Sequence, residues 1–349
     1  MFCYKSQRKS VLDLWISIGD PGRMQPRHLG PDLTTSAIGL GCMGLSQGYG
    51  PADDDESVRA IHRALDAGIT MLDTAMSYGQ GHNERLIGRA LAGRREQAVI
   101  ATKFGIVRGE DGVTVDGRPE HVRGYCEASL RRLGTDVIDL YYLHRVDPGV
   151  PIAETVGAMA GLVADGLVRH LGVSEATPAQ LEQAAGAAPI SAVQIEWSLL
   201  WRGPETDIVP AARRLGVGLV TYSPLGRGLL TSTLTSEAID ESDFRRHDPR
   251  FHGTDLDRNL RQVAALRDLA AGLDVTPGQL ALAWLLAQGP DVVPIPGSRR
   301  PDRIAQNAAA ADIRLTDADL RRLEEAVPRS AWAGDRTSFA AAVTARDSG

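Results

Sequence analysis

Cysteine is scarce: Cys3, Cys42 and Cys126 are the only three in 349 residues. Scattered thiols of this number build neither a disulfide framework nor the paired ligands of a zinc site. They are expected to be free thiols in a reducing cytosol, which makes the protein cytoplasmic in expectation. No metal-ligating spacing of His, Asp or Glu stands out. No apolar run approaches the roughly 20 residues of a membrane helix, so no membrane partner is expected. A basic excess is missing too: 38 Lys and Arg face 44 Asp and Glu, a net charge of −6. That balance argues against sequence-independent nucleic-acid binding. No Gly/Ser-rich or Pro-rich linker divides the chain. Residues 1–23 make a poor signal peptide, because Asp13 and Asp20 break the apolar part and no cleavage site follows. The expected organisation is an N-terminal extension over 1–23, one domain over 24–330 and a C-terminal tail over 331–349. Met24 is an alternative start. The sequence assigns no oligomeric state.

What the chain does have is a repeated alternation. Eight short apolar or β-branched runs recur: Ser36–Gly41, Thr70–Ala75, Val99–Phe104, Val137–His144, Val168–Ser174, Ala192–Ser198, Gly218–Pro224 and Val292–Gly297. They are nearly continuous in apolar character, as strands buried on both faces of a parallel sheet are. Helical patterns lie between them. Val58, Ile61 and Leu65 share one helix face before the stop at Gly68, and Thr177-Pro178 and Thr276-Pro277 read as a cap followed by a first-turn proline. Most strand-to-strand intervals are the length of a βαβ unit. Eight such units predict an α/β fold of the (β/α)8 TIM-barrel type. A doubly wound open sheet would carry a GxGxxG fingerprint after its first strand; Gly41-Cys42-Met43-Gly44 stands there instead.

In a barrel the site lies at the C-terminal ends of the strands. Three successive strands end in ionisable groups: Asp73, with Tyr78 just beyond, then Lys103, then His144. A structural ion pair plus a satisfied histidine would also account for them. No nucleophile elbow is present. A tyrosine beside an ammonium, with a carboxylate holding that ammonium, suits proton donation to an oxygen gaining negative charge. Carbonyl reduction needs such a donor when a cofactor supplies hydride. The barrel rule also predicts a phosphate site in the loops after the seventh and eighth strands, Ser223-Pro224-Leu225-Gly226-Arg227-Gly228 and Gly297-Ser298-Arg299-Arg300. Ordinary turns with surface arginines are the alternative.

Taken in order, LDTAMSYG, NERLIGRAL, ATKFG, YYLHRVD, GVSE, YSPLGRGLL and IPGSRR resemble the aldo-keto reductases over about Met24 to Ala326. The Phe244–Phe251 segment, FRRHDPRF, resembles the bacterial and fungal general aldehyde or pyridoxal reductase branch. The resemblance implies a barrel with an N-terminal β-hairpin and extra C-terminal helices. It implies NADPH/NADP+ as cofactor and a small-molecule carbonyl substrate. Tyr78 would be the general acid, Lys103 held by Asp73 would tune it, and His144 would orient the carbonyl. Tyr222 would stack on the nicotinamide, while Ser174 and Gln194 would bond its carboxamide. Gly41, Cys42 and Met43, with Asp73 beside them, would border its ribose. Ser223, Leu225, Gly226 and Gly228 would follow the pyrophosphate, with Pro224 between them. Ser298, Arg299 and Arg303, next to Gly297, would surround the 2′-phosphate, and Gln306 and Asn307 would meet the adenine. Two positions depart from the family pattern: Glu175 stands where many members carry asparagine, and Gln306 where glutamate is common. Trp197, Trp201 and Arg202 would line the substrate pocket or pack at its rim. Glu241–Asp257 would be either a cofactor lid or a plain loop. Potassium-channel β subunits share the resemblance, so a non-enzymatic NADPH-binding accessory protein is the alternative function.

Overall fold

The computed structural model describes residues 24–109, 112–232 and 243–336. The chain opens with an antiparallel hairpin, β1 (Pro26–Leu29) and β2 (Leu33–Ser36). Eight parallel strands follow: β3 (Leu40–Gly41), β4 (Met71–Asp73), β5 (Val99–Phe104), β8 (Ile138–Leu143), β9 (Val168–Ser174), β10 (Ala192–Glu196), β11 (Gly218–Tyr222) and β12 (Val292–Pro294). They are neighbours in chain order. The sheet closes on itself: Gly39 N donates to Pro294 O at 2.9 Å and Gly41 N to Pro296 O at 3.4 Å. The expected TIM barrel is therefore the observed fold. Several strands are shorter than the apolar runs that announce them. The first is the clearest case, because Leu33–Ser36 belongs to the hairpin and only Leu40–Gly41 to the barrel. A second hairpin, β6 (Ile106–Gly109) with β7 (Gly112–Val115), lies between β5 and the next helix and was not expected.

Helices α1 (Asp54–Asp66), α2 (His82–Ala90), α3 (Pro119–Leu133), α4 (Ile152–Ala164), α5 (Pro178–Ala187) and α6 (Ile208–Arg214) alternate with the strands. Helices α7 (Gly253–Gly272) and α8 (Pro277–Ala287) precede β12, and α9 (Pro301–Ala309) and α10 (Asp317–Ala326) follow it. Both Thr-Pro starts hold. Thr177 and Thr276 each form a capping box, with Gln180 and Gln279.

Inside the barrel, Met71, Ala101, Leu140, Tyr142, Ala192, Val220, Val293 and Ile295 pack together. The N-terminal hairpin plugs one end of this interior with Leu29 and Leu33, 0% and 4% exposed. Gly218 makes room for the plug, because a Cβ there would meet the Leu29 Cα at 2.7 Å. A second, larger core lies between the sheet and its ring of helices. With one end plugged and the walls filled, the open C-terminal mouth is where polar side chains can meet a ligand.

Candidate active site

The strand ends deliver the expected groups to one place. Lys103 Nζ donates to Asp73 Oδ1 at 2.5 Å and to Thr74 O at 2.7 Å, and its side chain is wholly buried. Gln194 Nε2 donates to the other Asp73 oxygen at 2.7 Å. Lys103 Nζ stands 5.3 Å from the Tyr78 ring centroid, and the Tyr78 and His144 rings meet edge-on at 5.8 Å. The NERLIGRAL stretch explains how β4 and β5 are held. Asn83 accepts from Thr74 Oγ1 at 2.6 Å and donates to Cys42 O at 2.8 Å, while Glu84 accepts from Thr102 Oγ1 at 2.6 Å.

The electrostatics differ in one respect from the sequence expectation. Burial and the Asp73 charge push the Tyr78 phenol above its ordinary range, and Arg145 is the cation that opposes them. Lys103 faces Asp73 rather than the hydroxyl. Tyr78 is thus a protonated donor at neutral pH, not a phenolate. Burial, Arg145 and Lys103 hold His144 well below the ordinary imidazole value, so its ring is neutral. Burial pushes Asp73 up and Lys103 down, and each opposes that effect in the other.

A cavity of about 450 Å³ opens beside this cluster, within the range that holds small molecules and cofactors. Of the residues assigned to cofactor binding, all but Cys42, Ser174, Gln194 and Gly226 line it. Those four sit behind the wall. Cys42 is fully buried, Gln194 is committed to Asp73, and Ser174 lies 3.4 Å from Arg145 Nη1. Gly226 packs on Leu200 and Leu230. Of this cluster Asp73 lines the cavity, as does Arg145 next to His144, while Tyr78 and His144 are buried and outside the lining.

Gly41 and Gly297, both in the cavity lining, let two barrel segments meet closely there. A Cβ on Gly297 would lie 2.7 Å from Gly41 O, and one on Gly41 would lie 2.7 Å from Ile295 O. Ser223, Arg227 and Glu175 hold left-handed conformations, φ 50°, 55° and 57°, three of the six non-glycine residues that do so among the described residues. Such strain gathers where a site over-determines the backbone. Arg299 donates to the carbonyls of Tyr49 and Pro51 and ties two loops together across the cavity. Arg303 donates to Gln306 at 2.9 Å and has no carboxylate within ion-pair distance among the described residues.

Residues beyond the sequence assignment complete the site. Glu175 accepts from the Tyr222 hydroxyl at 3.1 Å, so here it serves Tyr222. Arg336 also donates to Tyr222 Oη, at 2.7 Å, and it pairs with Glu175 and with Glu196. Residues 330–336 are pinned in place: Arg258 donates to Ser330 O and Ala331 O, and Asn259 exchanges two hydrogen bonds with Ala333. Within Glu241–Asp257, Glu241 and Ser242 lie outside the described residues. Arg245 lines the cavity and donates to Arg227 O at 3.0 Å, and Phe244 packs against Tyr49 at 5.0 Å. Arg250 anchors the segment on Glu196 at 2.8 Å. Trp197 and Arg202 are spent on Glu205, and with Trp201 they stay out of the cavity lining.

The fold and this cluster define an α/β-barrel enzyme with a carboxylate, ammonium, phenol and imidazole at one mouth. Comparison with known proteins is specific. The Aldo/keto reductase family matches residues 37–328, and the chain belongs to that family; it is an oxidoreductase. It is 45% identical over 318 residues to a probable aldo-keto reductase 1 of Glycine max, covering 90% of this chain and 92% of that one. Among solved structures, a glycerol dehydrogenase from Gluconobacter oxydans superposes with a TM-score of 0.81 at 33% identity, covering 90% of this chain and 98% of that one. An aldo-keto reductase from Klebsiella pneumoniae in complex with NADPH superposes with a TM-score of 0.69 at 29% identity, over 87% and 96% of the two chains. Among the described residues no single helix is long and apolar enough to cross a membrane, and no His, Cys, Asp or Glu cluster is suited to a metal ion.

Proposed function

We propose that this protein reduces an aldehyde or ketone to an alcohol with NADPH, using Tyr78 as the proton donor. The observation that carries the reading is the convergence of Asp73, Tyr78, Lys103 and His144 beside a cavity whose far wall is the glycine-rich, arginine-bearing pair of loops after β11 and β12. The cavity suits NADPH. Gly41 and Gly297 line it without side chains, Tyr222 offers a fixed ring, and Arg299 and Arg303 supply positive charge at the α9 N-terminus. The NADPH complex of the Klebsiella pneumoniae relative supports the same choice. When bound there, NADPH supplies hydride.

The chain's own residues do the rest. Tyr78, protonated and buried, gives its proton to the carbonyl oxygen as negative charge gathers there. Neutral His144 positions that oxygen with a ring N–H. The Asp73–Lys103 pair places a positive group near the phenol ring without drawing off its proton. Tyr222, held at its hydroxyl by Glu175 and Arg336, would offer its ring to the nicotinamide. Ser298, Arg299 and Arg303 would hold the 2′-phosphate, and Gln306 and Asn307 would meet the adenine. Segment 243–251 forms a lid over the cavity edge. Two free, buried thiols, Cys42 and Cys126, support a cytoplasmic setting.

A panel of aldehydes and ketones, followed by NADPH absorbance, tests the reading. Turnover on at least one carbonyl class is expected. If bound NADPH is never oxidised, the reductase reading fails and the accessory, binding-only role takes its place.

A further inference from the structure

Arg145 follows His144 directly and is 5% exposed, yet it lines the cavity. Its Nη1 donates to His144 O at 2.7 Å and reaches Ser174 Oγ at 3.4 Å. Its Nε is buried with no hydrogen-bond partner. No carboxylate lies within ion-pair distance of it among the described residues. The buried Arg227 and Arg250 are paired with Glu196 and Asp248, and the half-buried Arg336 with Glu175 and Glu196. Asp73, the carboxylate that lines the cavity with Arg145, is already committed to Lys103 and Gln194.

A buried guanidinium without a counterion is costly, and the cost is offset when a ligand brings the anion. Its position says which ligand. Arg145 is bonded to His144 O, reaches Ser174 and lines the cavity together with Asp73 and Tyr222, which puts it at the end of the cavity where the proton donor and the ring expected to meet the nicotinamide lie. The phosphates of a dinucleotide belong to the other end, at the loops after β11 and β12. The anion near Arg145 therefore arrives with the substrate.

We infer that Arg145 binds a carboxylate adjacent to the reacting carbonyl, so that the site is built for 2-oxo carboxylates. The inference rests on the reductase reading. The 2-oxo carbon gains the hydride that NADPH loses, its oxygen gains the Tyr78 proton, and the product is the 2-hydroxy carboxylate. The carboxylate itself is unchanged and stays on the guanidinium, whose planar fork accepts it with two N–H donors.

The test compares phenylglyoxylate with its neutral methyl ester in wild type, Arg145→Gln and Arg145→Lys. The ratio of kcat/KM values, carboxylate over ester, cancels the intrinsic reactivity of each compound when taken between enzymes. Loss of a charge-assisted contact lowers that ratio on the order of ten- to a hundredfold in Arg145→Gln, with partial rescue by Arg145→Lys. In parallel, calorimetry measures phenylglyoxylate binding to each enzyme saturated with NADP+, and fluorescence measures NADPH affinity. Carboxylate affinity falls in Arg145→Gln while NADPH affinity moves far less. Equal losses on both compounds overturn the inference. So does a loss mirrored in NADPH affinity, or a wild type blind to the carboxylate in both turnover and binding. If the wild type binds phenylglyoxylate through Arg145 but reduces no carbonyl compound, the reductase reading fails and the anion site stands. If it reduces the ester and the ratio is unmoved, the reverse holds.

Discussion

Replacing Glu196 with glutamine removes one charge and almost no volume, and the structure says what that charge is worth. Glu196 is 1% exposed at the end of β10. Burial alone would raise its pKa, but Arg227, Arg250 and Arg336 outweigh burial and hold it at about 2, against an ordinary 4.5. At about 1.4 kcal/mol per pH unit, that difference contributes about 3 kcal/mol of folding free energy at neutral pH. The sign follows from the lowered value: the contribution is complete above pH 4.5 and is lost as pH falls through about 2. A neutral glutamine mimics the protonated acid. Glu196→Gln should therefore be about 3 kcal/mol less stable at pH 7, with the gap falling to roughly half at pH 3. Urea unfolding of both proteins at the two pH values measures the gap. A difference below about 1 kcal/mol at pH 7, the worth of an exposed pair, would refute the reasoning. So would a gap that does not shrink in acid. The same substitution leaves Arg336 with Glu175 alone and loosens the grip on Tyr222, so NADPH binding should weaken with it.

Three further outcomes follow from the site. Arg303→Ala should weaken NADPH by about ten- to a hundredfold and NADH little, because a charge-assisted bond to the 2′-phosphate is lost; equal losses in a fluorescence titration would remove that assignment. Gly297→Ala puts a methyl 2.7 Å from Gly41 O, so backbone where the barrel closes must shift, and urea unfolding should show lost stability together with weaker binding of either dinucleotide; wild-type stability would refute the close fit. Because Tyr78 is raised and His144 lowered from their ordinary values, kcat/KM for reduction should stay flat between about pH 6.5 and 9; a limb near the ordinary histidine value would show His144 titrating in the working range.

Much of this was legible in the sequence. Strands buried on both faces read as continuous apolar runs, so Val99–Phe104 and Val168–Ser174 were visible to the residue. Asp73, Lys103 and His144 stood out because each ends such a run with a charge or an imidazole. The hairpin over 106–115 was not visible, since a short exposed ribbon has no core-facing pattern. Arg145 was hidden by its neighbour: an arginine after a histidine looks like a solvated loop residue until its burial is known. Arg336 was beyond reach for another reason. It meets Glu196 across 140 residues, and no local pattern announces a pairing at that separation. The tetrad's composition was readable, but its electrostatic balance was not. Which cation acts on the Tyr78 hydroxyl depends on distances that only the folded mouth sets.

Proton donation by Tyr78 is tested most directly by single-turnover oxidation of bound NADPH in Tyr78→Phe. With a reactive aldehyde at saturation, the rate should fall by about a hundred- to ten-thousandfold, while NADPH affinity stays at the wild-type value. A variant that oxidises its NADPH as fast as the wild type would show that the proton comes from elsewhere.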